Sequence, residues 1–221
     1  MIITEQKPIA QIIDSLQGAH KIFLVGCGEC STTCKTGGEP ELLKMKEALE
    51  GHGKTVVGWC IPGAPCVAAQ MKVEMAKHMK DLRQSEAVLV LACGLGVQSF
   101  KDNDRFGLAV CPACNTLFGG MLDAQGNFLE KCSMCGECVL AETGGICPIT
   151  LCPKGLLNGP CGGMNLGKCE VDKDRDCAWV LIYKEAQKKN KLQEFKKIKE
   201  PKDYKKTNKP HMLLVASSKK E

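Results

Sequence analysis

Cys132, Cys135 and Cys138 are separated by two residues each, and Cys147, Cys152, Cys161, Cys169 and Cys177 follow within 46 residues of the first. Two-residue gaps let one loop offer three thiolates to three corners of an iron–sulfur cube. Eight thiols suit two four-thiolate sites. Their partition stays open, because the fourth ligand of a cube can come from the far end of such a motif. Gly144-Gly145 and Gly162-Gly163 would let backbone N–H groups approach inorganic sulfide, and Pro148, Pro153 and Pro160 would stiffen the same loops. Zinc is the rival metal. Cys111-x2-Cys114 has zinc-pair spacing, and His20, His52, His78 and His211 lie away from the Cys groups, so a zinc site would be all-Cys. Three readings therefore stand: two cubes, one cube and one zinc, or zinc alone. The Cys-x2-Cys-x2-Cys triple favours the first.

A second group opens the chain: Cys27-x2-Cys30-x3-Cys34. Three ligands are present, and Cys60 or Cys93 would supply the fourth. Cys66, Cys111 and Cys114 are left over, with Cys66 read as a small buried hydrophobe.

The elements that must position these thiols follow from periodicity. Residues 5–19 read as a helix, with Ile9, Ile12, Ile13 and Leu16 on one side. Helices are also expected over 40–50, started by Pro40 and stopped by Gly51 and Gly53, and over 66–84, with Met71, Met75 and Met79 on one side. Apolar or β-branched runs at 22–25, 55–59 and 87–92 read as buried strands, and 108–110 as a weaker one. This alternation predicts an α/β fold: a Rossmann-like, mostly parallel sheet with helices on both faces, over residues 1–118. Cys27, Cys60, Cys93 and Cys111 each come within two residues of a strand's end, where open α/β sheets place their ligand crevice. Gly26-x-Gly28 and Gly94-x-Gly96 follow strands but lack the third glycine and the distant acid of a dinucleotide site. They read as tight turns near a cluster.

From about residue 119 the pattern changes. Gly119-Gly120 and 124–127 are turn signals. Residues 119–199 read as an irregular Cys-rich domain with a closing helix near its end, too poor in apolar runs to fold without metal–thiolate cross-links. Residues 200–221 read as a basic, flexible tail.

The net charge of +5 is unevenly spread: residues 180–221 hold 13 Lys and 5 acids, so the body is acidic. With two Tyr, two Trp and six Phe, a base-stacking platform is poorly supplied, so no nucleic acid is expected. No apolar run is long enough to span a membrane, and residues 1–20 lack a signal-peptide pattern. Many thiols without secretion point to a cytoplasmic, metal-binding chain.

The stretch T-G-G-I-C-P-I-T-L-C-P-K-G-L-L-N-G-P-C-G-G, then G-K-C-E-V and C-A-W-V-L-I-Y, resembles the cysteine-rich C-terminal domain of methylenetetrahydrofolate reductases. With G-C-G-E-C-S-T-T-C-K-T-G-G-E, A-C-G-L-G-V-Q and N-T-L-F-G-G, the chain looks like the MetV-type small subunits of the anaerobic enzymes over roughly residues 21–185. The resemblance implies two to three [4Fe–4S] clusters, with zinc also suggested. It implies a MetF-type flavin-containing catalytic subunit as partner, and ferredoxin or a larger electron-transfer complex as donor. By motif match the ligands are Cys27, Cys30, Cys34, Cys60 and Cys93 in the first part and all eight C-terminal thiols. Catalytic residues, flavin and folate are expected on the partner. The alternatives are a zinc-stapled assembly module and a self-sufficient reductase; the latter is disfavoured because the chain is too short to add a barrel of about 250 residues.

Overall fold

The structure, a computed structural model, describes residues 1–198 and 200–213. Lys199 and the end of the basic tail, from residue 214, lie outside the described residues. The chain divides into two compact units, Met1–Leu129 and Glu130–Glu221.

The first unit runs β1 (Ile2–Gln6), α1 (Ile9–Ser15), β2 (Lys21–Val25), α2 (Cys30–Thr33), α3 (Glu39–Gly51), β3 (Thr55–Cys60), α4 (Ala68–Lys77), α5 (Met79–Gln84), β4 (Ala87–Val90), α6 (Gly94–Asn103), β5 (Ala109–Pro112), β6 (Cys114–Leu122) and β7 (Phe128–Glu130). Strands β3-β2-β4-β5 form a parallel sheet in that order. Alternation along each strand decides which face a side chain serves. Ile22, Leu24, Leu89 and Leu91 pack with Ile12 and Leu16 of α1 and Leu42, Met45 and Leu49 of α3. Phe23, Val25, Val88 and Val90 pack with Met71 and Met75 of α4, Leu82 of α5 and Phe100 of α6. Both faces are thus covered, as expected for parallel strands. Each fully buried Leu, Ile, Val or Phe contributes about 1.5–3 kcal/mol against leaving it in water.

Three local expectations change. Residues 2–6, partly assigned to the first helix, form β1, and Pro8 caps the start of α1. The long helix over 66–84 is two helices broken at His78. Gly119 and Gly120 lie inside β6 rather than in a turn, because β1, β6 and β7 make an antiparallel sheet. A Cβ on Gly120 would come 2.7 Å from the Leu129 carbonyl oxygen, so glycine lets β7 approach. The turn before β7 is as expected: Asp123 accepts from the N–H groups of Gln125 and Asn127.

In the second unit regular structure is short: α7 (Pro148–Leu151), α8 (Ala178–Lys188) and two 3₁₀ turns at Leu192–Lys196 and Tyr204–Thr207. Among its described residues only Ala178, Trp179 and Ile182 are buried hydrophobics apart from Pro148. Among the described residues of the chain no helix is long and apolar enough to cross a membrane.

Candidate metal centres

None of the sixteen cysteines is paired in a disulfide. In the second unit they fall into two groups. Cys152, Cys161, Cys169 and Cys177 line one small cavity floored by Trp179. The chain reaches this arrangement through local hydrogen bonds. Residues 165–177 form a small hairpin in which the Cys169 N–H donates to Arg175 O (2.9 Å) and the Cys177 N–H to Gly167 O (2.8 Å). Leu166 and Gly167, in the left-handed region at φ 48° and 83°, make the tight turn between Asn165 and Lys168 that leads into it. Cys177 then caps α8, and Trp179 in its first turn donates Nε1–H to Leu156 O (2.9 Å), pinning the 153–160 loop over the cavity. The Gly163 N–H lies 3.4 Å from Cys161 Sγ, a donor placed where a bound thiolate would accept. Cys161 Sγ also donates to Glu170 Oε1 (3.3 Å). Lys154, paired with Glu170, and the Cys161 thiol hold that carboxyl below its usual range.

Of the other four thiols, Cys147 is linked to the loop that carries Cys132, Cys135 and Cys138. Ser133, between the first two, shares a 2.7 Å hydrogen bond with Thr150, whose hydroxyl accepts from Cys147 Sγ (3.6 Å). Cys147 is thereby tied to the Cys132–Cys138 loop rather than to the cavity. Met134 and Gly136 take positive φ (52° and 78°), and the Met134 N–H turns back on Cys132 Sγ at 3.4 Å. Burial opposes ionisation of Cys135, but the Lys202 ammonium and a hydrogen bond at Glu137 outweigh it and hold the thiol below its ordinary value.

In the first unit the carboxyl ends of β2 and β4 carry Cys27 and Cys93, both buried, with Cys30 beginning α2 and Cys34 ending it. Cys30 Sγ accepts the Ile2 N–H at 3.4 Å, and Cys34 Sγ donates to Ile2 O at 3.8 Å. Cys60 packs in one apolar cluster with Cys27, Phe23, Met71 and Met75; burial pushes its pKa up to about 12, and its charged neighbours are Glu74 and Lys77. Cys111 donates to Ser15 O (3.2 Å) on the α1 face. Cys114 donates to Thr36 O (3.7 Å), and burial raises it to about 12. The Cys111/Cys114 pair thus bonds to different carbonyls. One residue escaped the sequence reading: Cys66 is exposed, not a buried hydrophobe. Burial of its sulfur pushes the thiol up, and neighbouring Cys93, Cys27 and Cys30 add to the shift. The missed signal is the Pro65-Cys66 pair just before α4.

Among the described residues no three Cys, His, Asp or Glu side chains are gathered as a ready single-ion site. A cube asks for something else, since each thiolate binds a different iron.

Residues 111–205 match the family described as Methylene-tetrahydrofolate reductase C terminal. The match includes all eight C-terminal thiols and stops short of the Cys27–Cys34 group. It relates this part of the chain to methylenetetrahydrofolate reductase. No curated protein and no solved structure matches the chain.

Proposed function

We propose that the chain is an iron–sulfur electron-transfer subunit that delivers electrons to the flavin of a partner methylenetetrahydrofolate reductase subunit. The gathering of Cys152, Cys161, Cys169 and Cys177 around one cavity carries this reading. Cys132, Cys135, Cys138 and Cys147 would hold one [4Fe–4S] cluster, and Cys152, Cys161, Cys169 and Cys177 a second. Thiols of the Cys27–Cys34 loop with Cys93 would hold a third at the sheet's edge. The donor chemistry fits: all-thiolate sets in glycine-rich loops, with backbone N–H groups at Cys132 and Cys161.

Bound clusters supply one-electron transfer at potentials set by hydrogen bonds to sulfur and by exposure. This chain's residues tune that chemistry. The Met134 and Gly163 N–H groups stabilise charge on sulfur, and Lys202 adds a cation beside Cys135. Trp179 keeps one wall of the second site apolar. The methylenetetrahydrofolate match supports the substrate class of the complex, with ferredoxin or a larger redox complex as donor. The test is anaerobic stopped-flow mixing of the dithionite-reduced chain with the oxidised flavin-bearing subunit. Flavin reduction coupled to loss of the cluster's reduced spectrum is expected; a chain that binds the subunit yet never reduces the flavin contradicts the proposal and selects an assembly role.

A further inference from the structure

The indole of Trp179 is shared by two hollows of the second unit. Trp179 and Met164 line the small cavity of Cys152, Cys161, Cys169 and Cys177, and the same two side chains line a much larger groove. Cys138 also lines that groove, as does Gly162, the neighbour of Cys161. The groove therefore borders both places where C-terminal thiols lie.

The groove measures about 1290 Å³, more than the roughly 300–1,000 Å³ of a small-molecule pocket. Its apolar residues are not buried: Tyr183, Tyr204 and Ile198 are half exposed or more, and Met164 and Phe195 over a third. Phe195 meets Trp179 edge-on, with ring centroids 6.4 Å apart. Exposed aromatic and Met side chains within a polar rim are the composition of a protein-docking surface.

Charge says which kind of protein. The lining balances three Lys against three Glu. One of those acids, Glu137, is already met by Lys206 (3.5 Å) and by the Asp203 N–H (2.8 Å). The surplus lies on the rim. Lys188 continues the Lys184 face of α8 by one turn, Lys196 adjoins Phe195, and Lys205 adjoins Tyr204. These four lysines are exposed and in no ion pair among the described residues. A neutral apolar centre ringed by cations steers an acidic partner onto it.

We propose that this groove is the docking site of a small acidic electron-carrier protein, which reaches both C-terminal clusters from one seat. This rests on the cluster reading above and deepens it by placing the electron's entry. In the exchange one electron leaves the carrier's reduced centre and enters a cluster of this chain; no bond forms or breaks.

The test uses the full chain, reconstituted anaerobically with iron and sulfide, and a reduced acidic flavodoxin as probe, whose own colour change reports the electron it loses. Carbodiimide, which joins lysine amines to carboxylates without a spacer, is expected to cross-link the pair mainly through Lys184, Lys188, Lys196 and Lys205. Electron transfer followed by stopped flow should slow as salt is added. Lys184→Glu combined with Lys188→Glu should lower the low-salt rate about tenfold and flatten that salt dependence, with iron content, reduction by dithionite and far-UV circular dichroism unchanged. Cross-links confined to other lysines, or an unchanged rate in the double variant, overturn the assignment. So does a flavin-bearing subunit that shields these lysines while the flavodoxin still reduces the chain. If the unaltered chain holds no iron and no labile sulfide, the cluster reading itself fails, and this shows before any carrier is added.

Discussion

The two units reach their thiol groups by opposite routes. In the first, a parallel sheet with a hydrophobic layer on each face fixes the ends of β2 and β4, and Cys27 and Cys93 ride on an edge the core has already built. In the second, Ala178, Trp179 and Ile182 are almost the whole buried apolar set among the described residues, and loops and a hairpin carry the cysteines. The difference teaches where folding energy must come from. Core burial can hold the first unit without metal. The second has few buried apolar residues among those described, and on the proposed function metal–thiolate bonds would supply its cross-links.

Removing the metal should break this symmetry most visibly. After chelation, limited proteolysis is expected to cut freely within residues 131–177 while the first unit stays resistant; equal resistance of both units would erase the contrast. Next in size is the partition of the second unit. Cys135→Ser and Cys161→Ser should each lose about four iron per chain, and the double variant about eight. Loss of one shared cluster in both single variants, read by iron content, would merge the two groups. A core substitution sharpens the comparison from the other side. Leu89→Ala should cost about 2–5 kcal/mol in denaturant unfolding of the first unit, with iron at the C-terminal sites unchanged. A drop in that iron would show that the second unit leans on the first.

The smallest effect concerns pH. Hydrogen bonds from the His20 and Lys21 N–H groups hold the Glu86 carboxyl below its usual value. A depressed folded-state pKa contributes stability that is present above the ordinary carboxylate value and is lost as pH falls through the folded one. Glu86→Gln should therefore flatten the acid limb of the first unit's stability curve slightly, measured by thermal melts between neutral and acid pH.

Much of this layout was legible in the residues. Ile22–Val25 and Ala87–Ala92, apolar at every position, read as buried strands; the strands run Lys21–Val25 and Ala87–Val90 and are covered on both faces. The strand-end rule put Cys27, Cys60, Cys93 and Cys111 along one edge; Cys60 packs with Cys27 against α4, whereas Cys111 donates to Ser15 O beside α1. That choice depends on which face a terminal residue presents, and a one-residue step reverses it. β1 was hidden because Ile2 and Ile3 gain their meaning only from β6, more than a hundred residues away. Cys66 was misread as buried for a related reason: it is isolated in sequence, and the packing of its loop against Gly28 and Gly96 leaves no local mark. The hairpin that brings Cys169 and Cys177 to one cavity, and the Ser133–Thr150 bond near Cys147, likewise leave no spacing signature.

The most direct test is to quantify iron, acid-labile sulfide and zinc in one anaerobic preparation of the full chain. The account predicts iron and sulfide in equal amounts, about eight to twelve of each per chain for two to three four-iron clusters, with visible absorption that dithionite bleaches. A colourless chain carrying zinc and no labile sulfide would contradict it.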